Sequence, residues 1–141
     1  MKNTQLMHEQ AEVFAQSIVE KQNGFKFEAV FQYTHENGDV IYWKLRAKNP
    51  NNGQKFIRSF SLEGSAFVLK EPDFREVFPQ GNGSKPLYAL YRISVSKDQP
   101  IYVVEGEQKA EYLNKLGLYA TTTGGCQSVS KTDLSPLFGR S

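Results

Sequence analysis

The stretch IYVVEGEQKAEYLNKLGLYATT, residues 101–122, decides the fold of this sequence. It begins with the apolar run Ile101–Val104, which is typical of a buried strand, and ends with a second short run at Leu118–Thr122. Between these runs, Glu107–Leu116 spaces its apolar residues as a helix does, and Gly117 suits the end of a helix. A strand, a helix and a strand in this order predict two parallel strands joined by a crossover.

Glu105 and Gly106 follow the first of these strands directly. Because ligands bind at the carboxyl ends of strands in open α/β sheets, Glu105 is the best candidate for a site residue. A carboxylate there can hold Mg²⁺ or transfer a proton, and Gly106 leaves room for a phosphate near the backbone. Gly124 and Gly125 are candidates for a second phosphate-contacting turn. The alternative, a solvated glutamate beside an ordinary glycine turn, stays open.

Upstream of this unit, the sequence predicts a helix followed by an antiparallel meander. Apolar residues at helical spacing predict a helix over 7–18, which Asn23 and Gly24 end. Three strand-like segments follow, separated by turns rich in Asn and Gly. These segments are Phe27–Thr34, Val40–Lys48 and Gln54–Ser61. The expected fold class is α+β, with an N-terminal helix and an antiparallel meander followed by a partial α/β unit.

The segment between the meander and the strand-helix-strand unit is rich in Gly and Pro, so it is predicted to be mostly loop. It leaves room for a short strand near Phe67–Leu69, one helical turn after Pro72 and a further strand at Leu87–Ser94. We divide the chain into residues 1–97, an N-terminal α+β module, and residues 98–141, an incomplete β-α-β unit.

Composition excludes several classes of protein. The 141 residues correspond to about one domain, and a hydrophobic content of 39% excludes a chain that is disordered throughout. One cysteine cannot form an internal disulfide, and one cysteine with two histidines cannot build a four-ligand zinc site. No apolar run is long enough to span a bilayer and the N-terminus does not resemble a signal peptide, so we expect a cytoplasmic protein with no membrane partner.

Basic residues are concentrated in one part of the chain, although the net charge is only +2. The segment 40–60 contains five of them and no Asp or Glu. Those in the middle strand alternate with apolar residues, so they are expected to share an outward face with an aromatic ring. Such a face can follow a phosphate backbone while the ring stacks on a base, whereas the alternative is a solvated face that protects the sheet from edge pairing. The candidate nucleic-acid-binding residues are Tyr42, Lys44, Arg46, Lys48, Lys55 and Arg58.

The segment VVEGEQKAEYLNKLGLYATTTGG, residues 103–125, resembles the opening of a Toprim domain of the phage- and plasmid-type primases and primase-helicases. The order of its pieces carries the resemblance: V-E-G-E at a strand end, a helix, L-G-L, then A-T-T and a glycine pair. Three upstream pieces also look similar, namely Glu36–Gly38, Lys48–Pro50 and Lys85–Tyr88. The resemblance covers about residues 25–141.

This resemblance implies Mg²⁺-dependent nucleotidyl transfer or phosphodiester chemistry in DNA replication. It implies that Glu105 moves a proton to or from the reacting hydroxyl and shares in the metal site, while an Asp-x-Asp pair after a third strand supplies the main ligands. The sequence departs from that pattern, because Asp133 is the only acidic residue after Glu111. We therefore expect no autonomous catalysis by residues 1–141, and a Mg²⁺ site only together with the missing aspartate pair.

The implied partners are nucleic acid, with single-stranded DNA favoured, and a replicative helicase domain in the same or another chain. A second hypothesis also stays open. In that hypothesis the chain is a small nucleic-acid- or protein-binding module, and the Toprim-like segment only supports its structure.

Overall fold

The computed structural model of this chain describes residues 4–124 and 126–138. The described residues form helices, an antiparallel sheet in the order β1-β2-β3-β4 and a parallel sheet of β5 and β6. The expected α+β class is confirmed. The helices are α1 (Thr4–Glu20), α2 (Phe74–Val77), α3 (Leu90–Ser94) and α4 (Glu107–Lys115), and the strands are β1 (Lys26–Thr34), β2 (Val40–Lys48), β3 (Lys55–Glu63), β4 (Ala66–Val68), β5 (Ile101–Val103) and β6 (Tyr119–Thr121). Three short 3₁₀ helices lie at Pro79–Gly81, Cys126–Lys131 and Ser135–Leu137.

The chain forms two compact units. Unit 1 comprises Met1–Gln32 and Tyr42–Pro72, and unit 2 comprises Tyr33–Ile41 and Asp73–Ser141. The end of the β1–β2 hairpin therefore belongs to unit 2. The expected division after residue 97 stays a prediction, because the compactness of the folded chain does not test which segments fold on their own. Within the described residues, no helix has the length and apolar character that crossing a membrane requires.

The core of unit 1 lies between α1 and one face of its sheet. Phe14 of α1 packs against Phe60 and Phe67, with ring centroids 5.2 and 5.4 Å apart. Trp43 stacks on Phe60 at 5.7 Å. The buried residues of α1 recur at every fourth position, which is the spacing of one helix face; they are Ala11, Ala15 and Val19.

The predicted meander is confirmed, and its strand bounds are close to those expected. Strands β2 and β3 pair antiparallel, with Trp43 opposite Phe60 and Lys48 opposite Lys55. The odd-numbered residues of β2 from Ile41 to Ala47 are all buried, as the alternation of apolar and basic residues predicts.

The strand expected at Leu87–Ser94 is wrong, since the structure has helix α3 there instead. Leu90 and Ile93 are both buried within α3, and their spacing of three residues fits one side of a helical turn rather than one face of a strand. Ala89 has a φ of +60°, so the backbone turns at this residue and cannot continue as an extended strand.

The strand-helix-strand unit in unit 2 forms as predicted. Strands β5 and β6 pair in parallel, with Tyr102 opposite Ala120. Helix α4 ends at Lys115, and Gly117 follows it with a φ of +92°, a conformation that glycine adopts without strain. The amides of Gly117 and Leu118 donate to the carbonyls of Asn114 and Leu113, both at 3.1 Å, and this pair of bonds satisfies the end of the helix.

Candidate functional site

Glu105 lies at the carboxyl edge of the parallel sheet. Because β5 and β6 run in the same direction, the residues after Val103 and those after Thr121 meet at one edge. The Glu105 side chain is exposed and forms none of the hydrogen bonds or ion pairs found among the described residues. Its carboxylate is therefore accessible to a ligand.

A buried threonine joins the two loops at this edge. Thr122 is 1% exposed, and its hydroxyl oxygen accepts hydrogen bonds from the amides of Gly106 at 3.1 Å and Gly124 at 3.0 Å. Both glycines have positive φ, +88° and +98°, which other residues rarely adopt. We call Glu105, Gly106, Thr122 and Gly124 the Glu105 edge.

Sequence reasoning missed the role of Thr122, although the residue lies in the A-T-T motif. The Gly106 and Gly124 amides donate to Thr122 in this structure, so they are not free donors for a phosphate. A phosphate close to these two glycines stays a prediction. Gly125 lies outside the described residues.

The other side of β6 is also bonded within unit 2. The amide of Tyr88 donates to the carbonyl of Thr122 at 3.2 Å, and the Thr121 hydroxyl donates to the carbonyl of Tyr88 at 2.6 Å. The side-chain amide of Asn114 donates to the Ala120 carbonyl at 3.1 Å and accepts from the Ala120 amide at 2.7 Å. These contacts hold the strand that supports the Glu105 edge.

The described residues do not fit a resident Mg²⁺ ion. Among them, no three His, Cys, Asp or Glu side chains are grouped so that they could hold a metal. Two acidic neighbours of Glu105 along the chain are already engaged: Glu107 accepts a hydrogen bond from the Tyr33 hydroxyl at 3.2 Å, and Glu111 accepts one from Tyr88. Since Mg²⁺ requires near-octahedral oxygen coordination, its other protein ligands would have to come from elsewhere.

The two tyrosines and the two glutamates of α4 form a cluster in unit 2, in which Glu111 is partly exposed and the other three are buried. The rings of Tyr33 and Tyr88 meet edge to face, with centroids 5.1 Å apart. Burial raises the pKa of Tyr88 above its usual value, and the hydrogen bond and negative charge of Glu111 raise this pKa further. Tyr88 is therefore protonated and acts as a hydrogen-bond donor throughout the physiological pH range.

The raised pKa of Tyr88 predicts a loss of stability at alkaline pH. Above the usual pKa of 10.0, Tyr88 ionises in the unfolded chain but stays protonated in the folded one, so the folded state binds more protons. The free energy of unfolding should therefore fall more steeply with pH in the wild type than in Tyr88→Phe, and the difference should reach about 1.4 kcal/mol in total over the range measured. Urea unfolding at pH values between about 9 and 11 measures this difference, and parallel profiles would contradict the predicted protonation state.

Four of the six candidate nucleic-acid-binding residues share one face of the antiparallel sheet. Residues directly opposite in an antiparallel pair point to the same side. Lys48 is opposite Lys55, Arg46 is opposite Ile57 and Lys44 is opposite Ser59. Arg46 also pairs with the Glu28 carboxylate of β1 at 3.0 Å. We call this surface the basic sheet face; its residues are Lys44, Arg46, Lys48 and Lys55.

The other two candidates, Tyr42 and Arg58, are not available on this face. Tyr42 follows the alternation of Lys44, but it is only 2% exposed, so its ring cannot stack on a base in this structure. Arg58 is opposite Leu45 and therefore points to the other side of the sheet, where its guanidinium lies 4.6 Å from the ring centre of Phe56. Alternation along one strand predicts to which side of the sheet a side chain points. It does not predict whether other residues bury that side chain, and it does not predict the register of the neighbouring strand.

The Lys48 and Lys55 pair has a particular electrostatic property. Both side chains are exposed, and neither has an ion pair within the described residues. Like charges directly opposite in a sheet destabilise it. The pair therefore keeps an unfavourable repulsion that an anionic ligand would relieve.

No protein-family model, no curated protein and no solved structure matches this chain.

Proposed function

We propose that this chain binds nucleic acid, with single-stranded DNA favoured, through the basic sheet face. The observation that carries the proposal is the exposed lysine pair, Lys48 opposite Lys55, next to Lys44 and Arg46 on the same face. Phosphates placed along this face would replace the repulsion between the lysines with attraction, and they would release counterions. An extended backbone suits such a row of cations better than a compact anion does, because its charges repeat along its length.

The test is fluorescence anisotropy with a labelled single-stranded oligonucleotide and the whole chain. We expect binding that weakens steeply as salt is added. With up to four phosphates neutralised, the slope of log K against log salt should reach about −3. An absence of binding at about 50 mM salt, or a slope close to zero, would remove the basic sheet face as a nucleic-acid interface.

The same proposal assigns residues 101–124 to the first strand-helix-strand of a Toprim-like centre in a primase-type protein of phage or plasmid DNA replication, located in the cytoplasm. The parallel register of β5 and β6 supports it, because the register brings Glu105 and the loop after Thr121 to one edge. Glu105 would transfer a proton at the reacting hydroxyl. Residues 1–141 are not catalytically complete in this proposal, since the aspartate pair is absent from them.

Glu105 can be tested in a gene product that continues past residue 141 into a strand ending in Asp-x-Asp. We expect Mg²⁺-dependent nucleotidyl transfer by that longer protein, and Glu105→Gln should lower its rate at least about 100-fold, because general acid or base catalysis contributes that much. Glu76→Gln, an exposed glutamate on α2, is the control and should leave the rate unchanged. Full activity in Glu105→Gln would refute the proposed role.

A stand-alone binding module is the second candidate function. The isolation of Glu105 favours it, since the described residues bring no metal-ligand group together. In that case Glu105→Gln leaves every property of the chain unchanged, while oligonucleotide binding still depends on the basic sheet face. The two candidate functions therefore predict different effects of Glu105→Gln, but both predict that oligonucleotide binding depends on the basic sheet face.

A further inference from the structure

Unit 2 contains a cavity that neither the Glu105 edge nor the basic sheet face uses. Its volume is about 480 Å³, and it is widely open to solvent, so a ligand in it would stay partly exposed. It lies between the start of α3 and the C-terminal half of α4. The lining residues are Tyr88, Ala89, Arg92, Glu111, Asn114 and Lys115.

Hydrogen bonds within the protein hold the walls of this cavity. The Tyr88 hydroxyl donates to the Glu111 carboxylate, and both polar atoms of the Asn114 side chain bond to Ala120. Arg92 donates to the carbonyl of Leu118 through Nε at 3.1 Å and Nη2 at 2.7 Å. The side chains of Tyr88, Arg92 and Asn114 and the carboxylate of Glu111 are therefore ordered before a ligand binds. Because binding would not have to order them, less conformational entropy is lost and the affinity is higher.

Arg92 is positioned by an aromatic ring as well. Its guanidinium lies 4.3 Å from the ring centre of Tyr119. The Nη1 atom donates to no group among the described residues, so it is available to a ligand. Lys115 is exposed and likewise has no ion pair within the described part of the chain. The cavity therefore offers two cationic donors.

Glu111 adds a different property to the cavity. Its Oε1 atom accepts the Tyr88 hydroxyl, whereas Oε2 has no hydrogen-bond donor among the described residues. A carboxylate oxygen accepts hydroxyl or amine hydrogens and repels anions. The lining side chains thus combine an anion-binding part, Arg92 and Lys115, with an acceptor for hydroxyl donors, and their net charge is +1.

We propose that this cavity binds a small organic phosphate with hydroxyl groups near the phosphate, such as a sugar phosphate or a nucleotide. A phosphate offers several charged oxygens to two cationic donors that approach from different elements, Arg92 on α3 and Lys115 on α4. The hydroxyls of the ligand donate to Oε2 of Glu111. The remaining volume takes the organic part beside the methyl group of Ala89, which is partly exposed.

The proposal can be tested by titrating the ¹⁵N-labelled chain with four probes: ribose 5-phosphate, adenosine 5′-monophosphate, ribose and inorganic phosphate. We expect at least one of the two phosphate esters to bind with a Kd below about 1 mM and to shift the amide signals of 88–92 and 111–115. Ribose and inorganic phosphate should bind at least about tenfold more weakly, because each makes only part of the contacts. Preference for the nucleotide would identify a base-binding part, and equal binding of both esters would identify a sugar phosphate.

Lys115→Met provides the matched variant, because the substitution keeps the aliphatic chain and removes the charge. It should weaken binding of the phosphate ester about fivefold, which corresponds to about 1 kcal/mol. Lys109→Met changes another exposed lysine of α4 and should leave the affinity unchanged. The proposal is overturned if neither ester binds with a Kd below about 1 mM, if the shifts map to the basic sheet face, or if the two variants lose affinity equally.

Discussion

Replacing Lys48 and Lys55 together with glutamate is expected to lower the affinity for a single-stranded oligonucleotide about 100-fold at about 50 mM salt. Two phosphate contacts are lost and two negative charges then repel the backbone. The slope of log K against log salt should become less negative by about 1.4, because about 0.7 is lost for each phosphate contact. Anisotropy titrations across a series of salt concentrations measure both quantities.

The matched control for this double variant is Lys21→Glu with Lys109→Glu, which changes the net charge by the same amount. Both control lysines are exposed and lie outside the basic sheet face. If the two double variants lose equal affinity, the net charge of the chain explains the binding and the basic sheet face does not.

The single variant Lys48→Glu separates binding from folding. It replaces a like-charge pair by an opposite-charge pair with Lys55, so it should stabilise the sheet by about 0.5 kcal/mol while it weakens nucleic-acid binding. Stability that falls in parallel with affinity would show that Lys48 supports the fold rather than a ligand.

Thr122→Val is expected to lower the free energy of unfolding by about 2–3 kcal/mol, although it keeps the shape of the side chain. The variant removes the oxygen that accepts from Gly106 and Gly124, and both amides then lack their partner. Each unsatisfied amide costs about 1–3 kcal/mol where water cannot replace the partner, and the partial exposure of the two glycines reduces that sum. Urea unfolding measures the loss, and hydrogen exchange should become faster at these two amides.

Thr122→Ser tests whether the hydroxyl is responsible for this loss. Serine keeps the accepting oxygen, so the protection of the Gly106 and Gly124 amides should stay close to that of the wild type. If Thr122→Val unfolds within about 0.5 kcal/mol of the wild type, or if serine and valine are equivalent, the hydroxyl does not hold the two loops together.

Errors in predicting this fold came from local ambiguity. The strand expected at Leu87–Ser94 and the observed helix α3 share the same apolar residues. Over so short a segment, periods of two and of three residues are difficult to distinguish. The left-handed backbone of Ala89 decides between them, and nothing in the identity of an alanine indicates it.

Some residues of the candidate sites could be predicted from the sequence and others could not. Glu105 could be found because its position depends only on the element before it, a strand that ends two residues earlier. The burial of the Tyr42 ring could not be predicted, because it depends on residues that pack over β2. The side of the sheet to which Arg58 points could not be predicted either, because it depends on the register of β3. The cavity beside α4 was not predicted at all, since its lining combines residues more than twenty positions apart.

The sequence by itself determined the order of the elements, the parallel strand-helix-strand unit and the concentration of lysines in the meander. These properties follow from spacing within single segments, where the period of a helix or strand and the choice of glycine at a turn act over a few residues. Only the tertiary structure decided that Thr122 bonds to Gly106 and Gly124 and that Lys48 faces Lys55. Such contacts depend on how separate segments come together in space, and no local preference of the chain specifies that.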